Sequence, residues 1–226
     1  MRDPPAMAPN LSPELLDMLP LPQRLALSYA PARARNVFGP LFALDARLGQ
    51  ALRQASEPIM AQMRLAWWRD QLRLAPEVRE RSDELIRALD PLADESEALL
   101  ALVDGWELLL SEEFSEATAA AFISARAQSL LGLARTLGAG DEPEHVLIAG
   151  QRWALADLVG GLADPAERAR ALALTPRGGR LRLSRTMRPL AVLDELARRS
   201  LSNQGAPLIA GRGSVIAAMR LGLFGR

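Results

Sequence analysis

The chain has no cysteine, no lysine and one histidine among its 226 residues, and aromatic residues are few. Without cysteine it can form no disulfide and offers no thiolate nucleophile or cysteine-based zinc site. The lone histidine, His145, excludes a multi-histidine metal site. Long apolar runs are missing too, because no stretch reaches the roughly 18 residues that span a bilayer. The proline-rich N-terminus carries no apolar secretion signal, so we expect a cytoplasmic protein.

Residues that favour strands are also scarce. Alanine and leucine dominate the chain, both are strong helix formers, and no alternating run of Val, Ile or Thr occurs. We predict an all-α protein. Its length suits one domain with a sizeable core, so we expect a flexible segment at residues 1–12 and a single helical bundle over residues 13–226.

Apolar residues recur at intervals of three and four, which is typical of helices with one buried face. We expect an interruption and a kink at Gly39–Pro40, an N-cap at Ser82, and a glycine C-cap at Gly138. A further helix should begin after a cap at Asp164. The other predicted helices are 12–19, 23–29, 31–54, 57–74, 82–89, 96–110, 115–137, 142–162, 186–200 and 213–224.

Two adjacent tryptophans, Trp67 and Trp68, lie in the segment 57–74, and the whole chain has only four. Neighbouring side chains on a helix point about 100° apart. One ring can therefore enter the core while the other forms a second contact or a cavity wall, although both can also pack in the core. We predict that one of the pair, together with Trp106 and Trp153, faces the interior.

The zero net charge hides an asymmetry along the chain. Up to Asp164 there are 15 arginines against 24 acidic residues, a net of −9, and from Pro165 onward 12 arginines against 3 acidic residues, a net of +9. The two parts can neutralise each other within one fold. The basic, glycine-containing loop 175–184 indicates instead an anionic partner, and Arg177, Arg180 and Arg182 are the predicted contacts with an anionic membrane surface. We expect no nucleic-acid partner.

Five short segments, taken in order, carry a resemblance to a known family. They are 28–29 (Ser-Tyr) with Arg35 and 41–44 (Leu-Phe-Ala-Leu); 63–65 (Met-Arg-Leu) with 67–70 (Trp-Trp-Arg-Asp); 104–107 (Asp-Gly-Trp-Glu); Gly150 with Leu155 and Leu158; and 179–181 (Gly-Arg-Leu) with Leu183. Because the segments occur in this order and at this spacing, the chain resembles the squalene/phytoene synthase family from about residue 25 to residue 224. The resemblance implies the all-α isoprenoid synthase fold. The second segment is similar to a branch that includes bacterial members and a mitochondrial complex I assembly factor.

The acidic motifs of the active family are missing. Active members bind Mg²⁺ through two Asp-x-x-x-Asp motifs, whose carboxylates share a helix face and hold the metal against a diphosphate. The first would fall at 49–53, which reads Gly-Gln-Ala-Leu-Arg. The second would fall on Asp157, Gly160 and Gly161, with Asp164 as one further acid. The family implies Mg²⁺ as cofactor, but this sequence does not support it, so we predict no metal site and no catalytic residue.

Two functions from different classes remain open, with a third that needs no ligand. The first is a non-catalytic member that keeps an apolar cavity for an isoprenoid or another lipid, or that assists assembly of a protein partner. Its predicted cavity-lining residues are Phe42, Met63, Trp67 and Trp153. The alternative is a divergent prenyltransferase acting on isoprenoid diphosphates in terpenoid, carotenoid or hopanoid biosynthesis. The third is a structural domain with a filled core. Because the family's substrates dissolve in membranes, we also expect a peripheral position at the inner membrane.

Overall fold

The computed structural model describes residues 11–111 and 114–209, and every regular element in them is helical, which confirms the predicted all-α class. The α-helices are α1 (Pro13–Asp17), α2 (Leu21–Ser28), α3 (Ala32–Arg53), α4 (Pro58–Arg73), α5 (Glu84–Ala88), α6 (Ser96–Leu108), α7 (Glu116–Leu137), α8 (Pro143–Gly161), α9 (Pro165–Ala173) and α10 (Arg188–Ser202). Two short 3-10 turns, Pro76–Val78 and Asp90–Glu95, were not predicted. The predicted helix 213–224 and residues 1–10 of the predicted flexible segment lie outside the described ranges.

Local polar residues begin and end several of these helices. The hydroxyls of Ser12 and Ser115 and the carboxylate of Asp164 accept hydrogen bonds from first-turn amides of α1, α7 and α9. Gly138 ends α7 in the left-handed conformation, with φ of 57°. The predicted cap at Ser82 is wrong, because the next residue, Asp83, accepts the amides of Leu85 and Ile86 at the start of α5.

The predicted interruption of α3 at Gly39–Pro40 is wrong, because α3 is one helix of 22 residues with Pro40 inside it. A proline removes one backbone hydrogen bond from a helix. Burial compensates, since most of α3 is inaccessible to solvent and both Phe38 and Phe42 are fully buried. Gly39 also lets Leu11 approach, because a Cβ at that position would lie 2.7 Å from the Leu11 Cδ1.

Helix α7 lies at the centre of the bundle, between α6 and α8, and α3 crosses it. Helix α10 packs against α8 and α2, while α4 packs on the outer side of α6. Two glycines from the segments that carry the family resemblance set the close approaches: a Cβ on Gly105 would lie 2.7 Å from Ala125 Cβ, and one on Gly150 would lie 2.9 Å from Ala127 Cα. Both glycines therefore let neighbouring helices approach α7.

One continuous hydrophobic core joins the helices from Leu15 in α1 to Ala197 in α10. The predicted tryptophan pattern is confirmed, because Trp68, Trp106 and Trp153 are buried and Trp67 is exposed. Within residues 11–111 and 114–209, no helix has the length and apolar character needed to cross a bilayer.

Candidate functional site

A cavity of about 940 Å³ opens where α3, α6 and α8 end and where α7 and α9 begin. Apolar side chains form most of its walls. They come from α2, α3, α6, α7 and α8, from residues next to the ends of α6, α7 and α8, and from the segment after α10: Leu21, Leu52, Trp106, Leu109, Phe114, Phe122, Leu158, Leu162, Leu208 and Ile209. The charged residues on its lining are Arg53, Asp157, Glu167 and Arg168. This volume lies in the range of typical small-molecule sites.

A buried arginine bridges two carboxylates beside the cavity. Arg126 of α7, only 1% exposed, donates to Asp157 Oδ2 at 2.8 Å and, on its other side, to Asp45 Oδ2 in α3. The Trp106 Nε1 donates to the remaining oxygen of Asp45 at 2.9 Å. The guanidinium also lies 4.2 Å from the ring centre of Trp153. The cluster ties α3, α6, α7 and α8 together.

Burial and charge act in opposite directions on the pKa values of the two buried groups of this cluster, Asp45 and Arg126. Burial raises the pKa of Asp45, and the positive charge of Arg126 only partly opposes that rise. Burial also acts to lower the pKa of Arg126, but the two carboxylates outweigh it, so the guanidinium keeps its charge. Asp157 is 37% exposed on the cavity side, and its second oxygen makes no hydrogen bond to any described residue.

The two positions that the resemblance equates with the acidic motifs lie on walls of this same cavity. On α3, a Cβ at Gly49 would lie 2.8 Å from Cη2 of Trp106 and 2.9 Å from Nη1 of Arg53. An indole and a guanidinium thus occupy the space that a carboxylate at this position would need. On α8, a Cβ added at Gly160 or Gly161 would meet no described atom within 4 Å, so this glycine pair leaves that wall open.

The residues around the cavity do not fit a magnesium site. Magnesium prefers an octahedral set of oxygen ligands that includes carboxylates. Here Asp157 is bound by Arg126, and Arg53 brings a second cation toward the α3 wall. Across the described part of the chain, no group of three or more His, Asp or Glu side chains could hold a metal ion.

The structure places the four predicted cavity-lining residues in different environments. Phe42 is fully buried and packs its ring 5.5 Å from that of Trp153, which stacks on Arg126 below the cavity. Met63 is 62% exposed on the outside of α4. Trp67 packs edge-on against Trp68 and lines a separate groove of about 610 Å³. None of the four is among the residues that line the main cavity.

Sequence reasoning missed Arg126 and the role of Asp45. A signal for Arg126 was present, because it falls on the apolar stripe of α7, between Phe122 and Leu130. A charge inside such a stripe requires an opposite charge on a facing helix. The sequence alone does not say which helix faces it.

The arginines predicted to contact an anionic membrane surface lie on loop 175–184. A buried side chain of α8 holds the backbone of this loop. Arg177, Arg180 and Arg182 are exposed, and none has a carboxylate partner among the described residues. The buried Arg152 of α8 donates to the carbonyls of Gly178 and Gly179, at 2.5 and 3.2 Å. It also pairs with the largely buried Asp194 at 3.3 Å. This anchor holds the backbone and leaves the three arginine side chains in solvent.

Two segments of the family resemblance contact each other. Arg69 of α4 donates through Nε and Nη2 to Asp104 Oδ1, at 2.9 and 2.7 Å, and reaches Glu107 as well. These residues join the Trp-Trp-Arg-Asp segment to the Asp-Gly-Trp-Glu segment. Because these side chains are partly exposed and satisfy one another, we interpret the contact as a structural link between α4 and α6.

Comparison of the chain with models of known protein families, with curated proteins and with solved structures finds no match.

Proposed function

We propose that this protein binds an isoprenoid or a lipid of similar size in the main cavity and does not catalyse its conversion. The observation that carries the proposal is the cavity itself: about 940 Å³, mostly apolar, with Trp106 and Arg53 against Gly49. The relation to the squalene/phytoene synthase family and its isoprenoid synthase fold is part of the proposal, because it rests on the sequence resemblance alone.

Burial of an apolar chain would supply the binding energy. Each buried methylene contributes roughly 0.8 kcal/mol when it leaves water, and the partly exposed Leu52, Leu109 and Phe114 offer an apolar surface to such a chain. The charged side chains at the lining give one end of the ligand a polar environment. The glycine pair at 160–161 keeps the α8 wall open.

The charged residues around the cavity do not favour catalytic cleavage of a diphosphate. Loss of a diphosphate requires compensation of the developing negative charge, which is usually the largest catalytic contribution. Without a magnesium ligand set, Arg53 and Arg168 are the only cations that the described residues bring to the lining. The proposal is therefore a binding protein with no catalytic residue and no cofactor.

The alternative is a divergent prenyltransferase. One observation favours it: Asp157, Glu167, Arg53 and Arg168 line the same cavity, so acidic and basic groups meet at one site. Incubation with farnesyl or geranylgeranyl diphosphate in the presence of Mg²⁺, followed by product analysis, separates the two functions. Turnover would establish the alternative.

Substitution of Gly160 by leucine tests the cavity directly. A Cβ at this position meets no described atom and extends from the cavity lining, so the variant should fold at least as well as the native chain, since glycine costs about 1 kcal/mol in a helix. Calorimetric titration with farnesol should give saturable binding to the native protein and at least tenfold weaker binding to Gly160→Leu. Ala173→Leu, an exposed change at the end of α9, is the matched control. Equal affinity of all three proteins would refute the proposal.

Partners and location follow from the same proposal. An anionic membrane surface would meet the exposed Arg177, Arg180 and Arg182, and a cytoplasmic protein at the periphery of the inner membrane would use that contact to reach its ligand. A role in assembly of a protein partner is compatible with a bound lipid. Vesicle sedimentation with the three arginines changed to alanine tests the contact.

A further inference from the structure

Helix α4 has an apolar outer face in addition to its buried one. The side chains that it buries form a narrow stripe: Ala61, Leu65, Trp68 and Leu72. On the opposite side, Ile59 is 52% exposed, Met63 62% and Trp67 39%, and Met60 lies beside them. We call Ile59, Met60, Met63 and Trp67 the outer stripe.

The spacing of the outer stripe makes it continuous. Ile59, Met63 and Trp67 follow one another at intervals of four, so they form one ridge along two turns. Exposed apolar residues scattered singly are ordinary, but three on one ridge with a fourth beside them form a patch of the kind that marks a contact surface. Acidic residues flank its two ends, Glu57 before the helix and Asp70 in its last turn. The apolar surface is therefore confined to the part of α4 before Asp70.

A groove with uncompensated arginines runs beside the outer stripe. It lies between α3 and α4 and is lined by Arg47, Arg64 and Trp67, among others. Within the described residues, the Arg47 Nε is buried without a hydrogen-bond partner, and its Nη2 lies 3.8 Å from the Met18 sulfur. Neither Arg47 nor Arg64 has a carboxylate within salt-bridge distance among the described residues. The one acid that the described residues bring to the groove, Asp83, already accepts two amides of α5.

We propose that α4 docks on an anionic lipid bilayer, with the outer stripe in the interfacial region and Arg47 and Arg64 on lipid phosphates. This inference rests on the proposed function, because a lipid-binding cavity needs access to a membrane. Charge complementarity carries it: the groove holds two cations without a carboxylate partner in the described ranges, and the adjacent ridge is apolar with a tryptophan. Apolar side chains with a tryptophan, placed beside basic groups, are the features that bind a protein surface to the membrane interface.

Docking through α4 would bring the bilayer close to the main cavity. The last turns of α3 separate the two, since Gly49, Leu52 and Arg53 line the cavity while Gln50 and Ala51 line the groove. The groove beside the outer stripe therefore lies one helix away from the cavity. The stripe is a ridge rather than a hollow, so it suits a deformable lipid surface better than a preformed protein groove. This surface is different from the arginine loop 175–184.

Trp67 allows a direct test, because it is the one exposed tryptophan of the four. The full-length chain is mixed with vesicles of phosphatidylcholine containing phosphatidylglycerol, and with pure phosphatidylcholine vesicles. We expect a blue shift of tryptophan emission and quenching by brominated acyl chains with the anionic vesicles only. Both signals should be lost in Trp67→Phe, which keeps an apolar ring and should still sediment with the vesicles.

Charge substitutions then locate the docking surface. Met63→Glu should lower the partition coefficient for anionic vesicles at least tenfold. Arg47→Gln with Arg64→Gln should weaken binding by roughly fivefold per arginine and reduce its salt dependence, since an anionic surface attracts each arginine. Val78→Glu is the matched control, because Val78 is 65% exposed outside the outer stripe; it should bind as the native chain does. The triple alanine variant of the arginine loop should retain the Trp67 shift.

Three results would overturn the docking proposal. They are binding to neither vesicle type, equal loss in Met63→Glu and Val78→Glu, and loss of the Trp67 shift only in the loop variant. The farnesol titration is performed without vesicles, so failure of docking with intact farnesol binding would remove the surface assignment and leave the proposed function standing.

Discussion

At the residue scale, Arg126 is the buried side chain that joins the helices beside the cavity. It is fully buried, joins Asp45 to Asp157 and stacks on Trp153. A buried ion pair gains little net stability, because desolvation offsets its attraction. Removing one partner is costly, since the other charge stays buried and unpaired. Loss of Arg126 would therefore destabilise the fold chiefly because Asp45 would stay buried without an opposite charge.

Replacement of Arg126 by methionine should lower the free energy of unfolding by about 3–5 kcal/mol at neutral pH. Asp45 would then be buried without its opposing cation, so its pKa, already raised by burial, should rise further. A carboxyl group with a raised pKa in the folded state favours folding at low pH, and this contribution is lost as the pH rises through the folded pKa. The deficit should therefore shrink in acid.

Urea denaturation followed by circular dichroism at several pH values measures this effect. The double variant Arg126→Met with Asp45→Leu is the control, because it removes both charges of the pair. It should be more stable than Arg126→Met at neutral pH and should lose the pH dependence that arises from Asp45. A deficit in Arg126→Met that stays constant from acidic to neutral pH would contradict the argument.

At the scale of elements, the loop 175–184 depends on a helix that is distant in sequence. Arg152 of α8 holds the carbonyls of Gly178 and Gly179 and pairs with Asp194 of α10. Burial raises the pKa of Asp194, and Arg152 opposes that rise. The position of the exposed arginines is thus set from the interior of the bundle.

Arg152→Met should loosen this loop more than the rest of the bundle, because it removes the contacts to Gly178 and Gly179 in addition to the partner of Asp194. The expected result is faster amide hydrogen exchange in residues 176–184, with exchange in the central part of α7 changed much less. Arg152→Lys, which keeps the charge but cannot make the same forked contacts, should give an intermediate rate. Uniform acceleration across all helices would show that Arg152 supports global stability rather than the loop.

At the scale of the whole molecule, opposite charges in the two parts of the chain leave a net charge of zero. The structure pairs only some of them. Glu195 pairs with Arg198 and Arg199 inside the basic part, and Asp194 pairs with Arg152 of the acidic part. Arg177, Arg180 and Arg182 of loop 175–184 face solvent. The sequence resemblance equates two positions on the cavity walls with acidic motifs. Glycines stand at both: Gly49, which packs against the indole of Trp106, and the pair at 160–161.

Millimolar Mg²⁺ should therefore leave the melting temperature unchanged, because a ligand that does not bind the native state cannot stabilise it. Differential scanning calorimetry with and without Mg²⁺ measures this, and farnesol serves as the positive control that should raise the melting temperature. An increase with Mg²⁺ that disappears in Asp157→Asn would contradict the prediction and favour the prenyltransferase alternative.

The sequence by itself determined the helical class, most helix boundaries and the burial of Trp106, Trp153 and one of the adjacent pair, since these follow from local propensity, caps and apolar spacing. Which tryptophan of the pair is buried was left open. The sequence misjudged Pro40 and the cap at Ser82, where burial and an adjacent aspartate decide. The pairing of Arg126 with Asp45 and Asp157, the contact of Trp106 with Gly49, and the apolar outer side of α4 were decided only in the tertiary structure. Each depends on which helices face each other, and spacing along one chain segment does not contain that information.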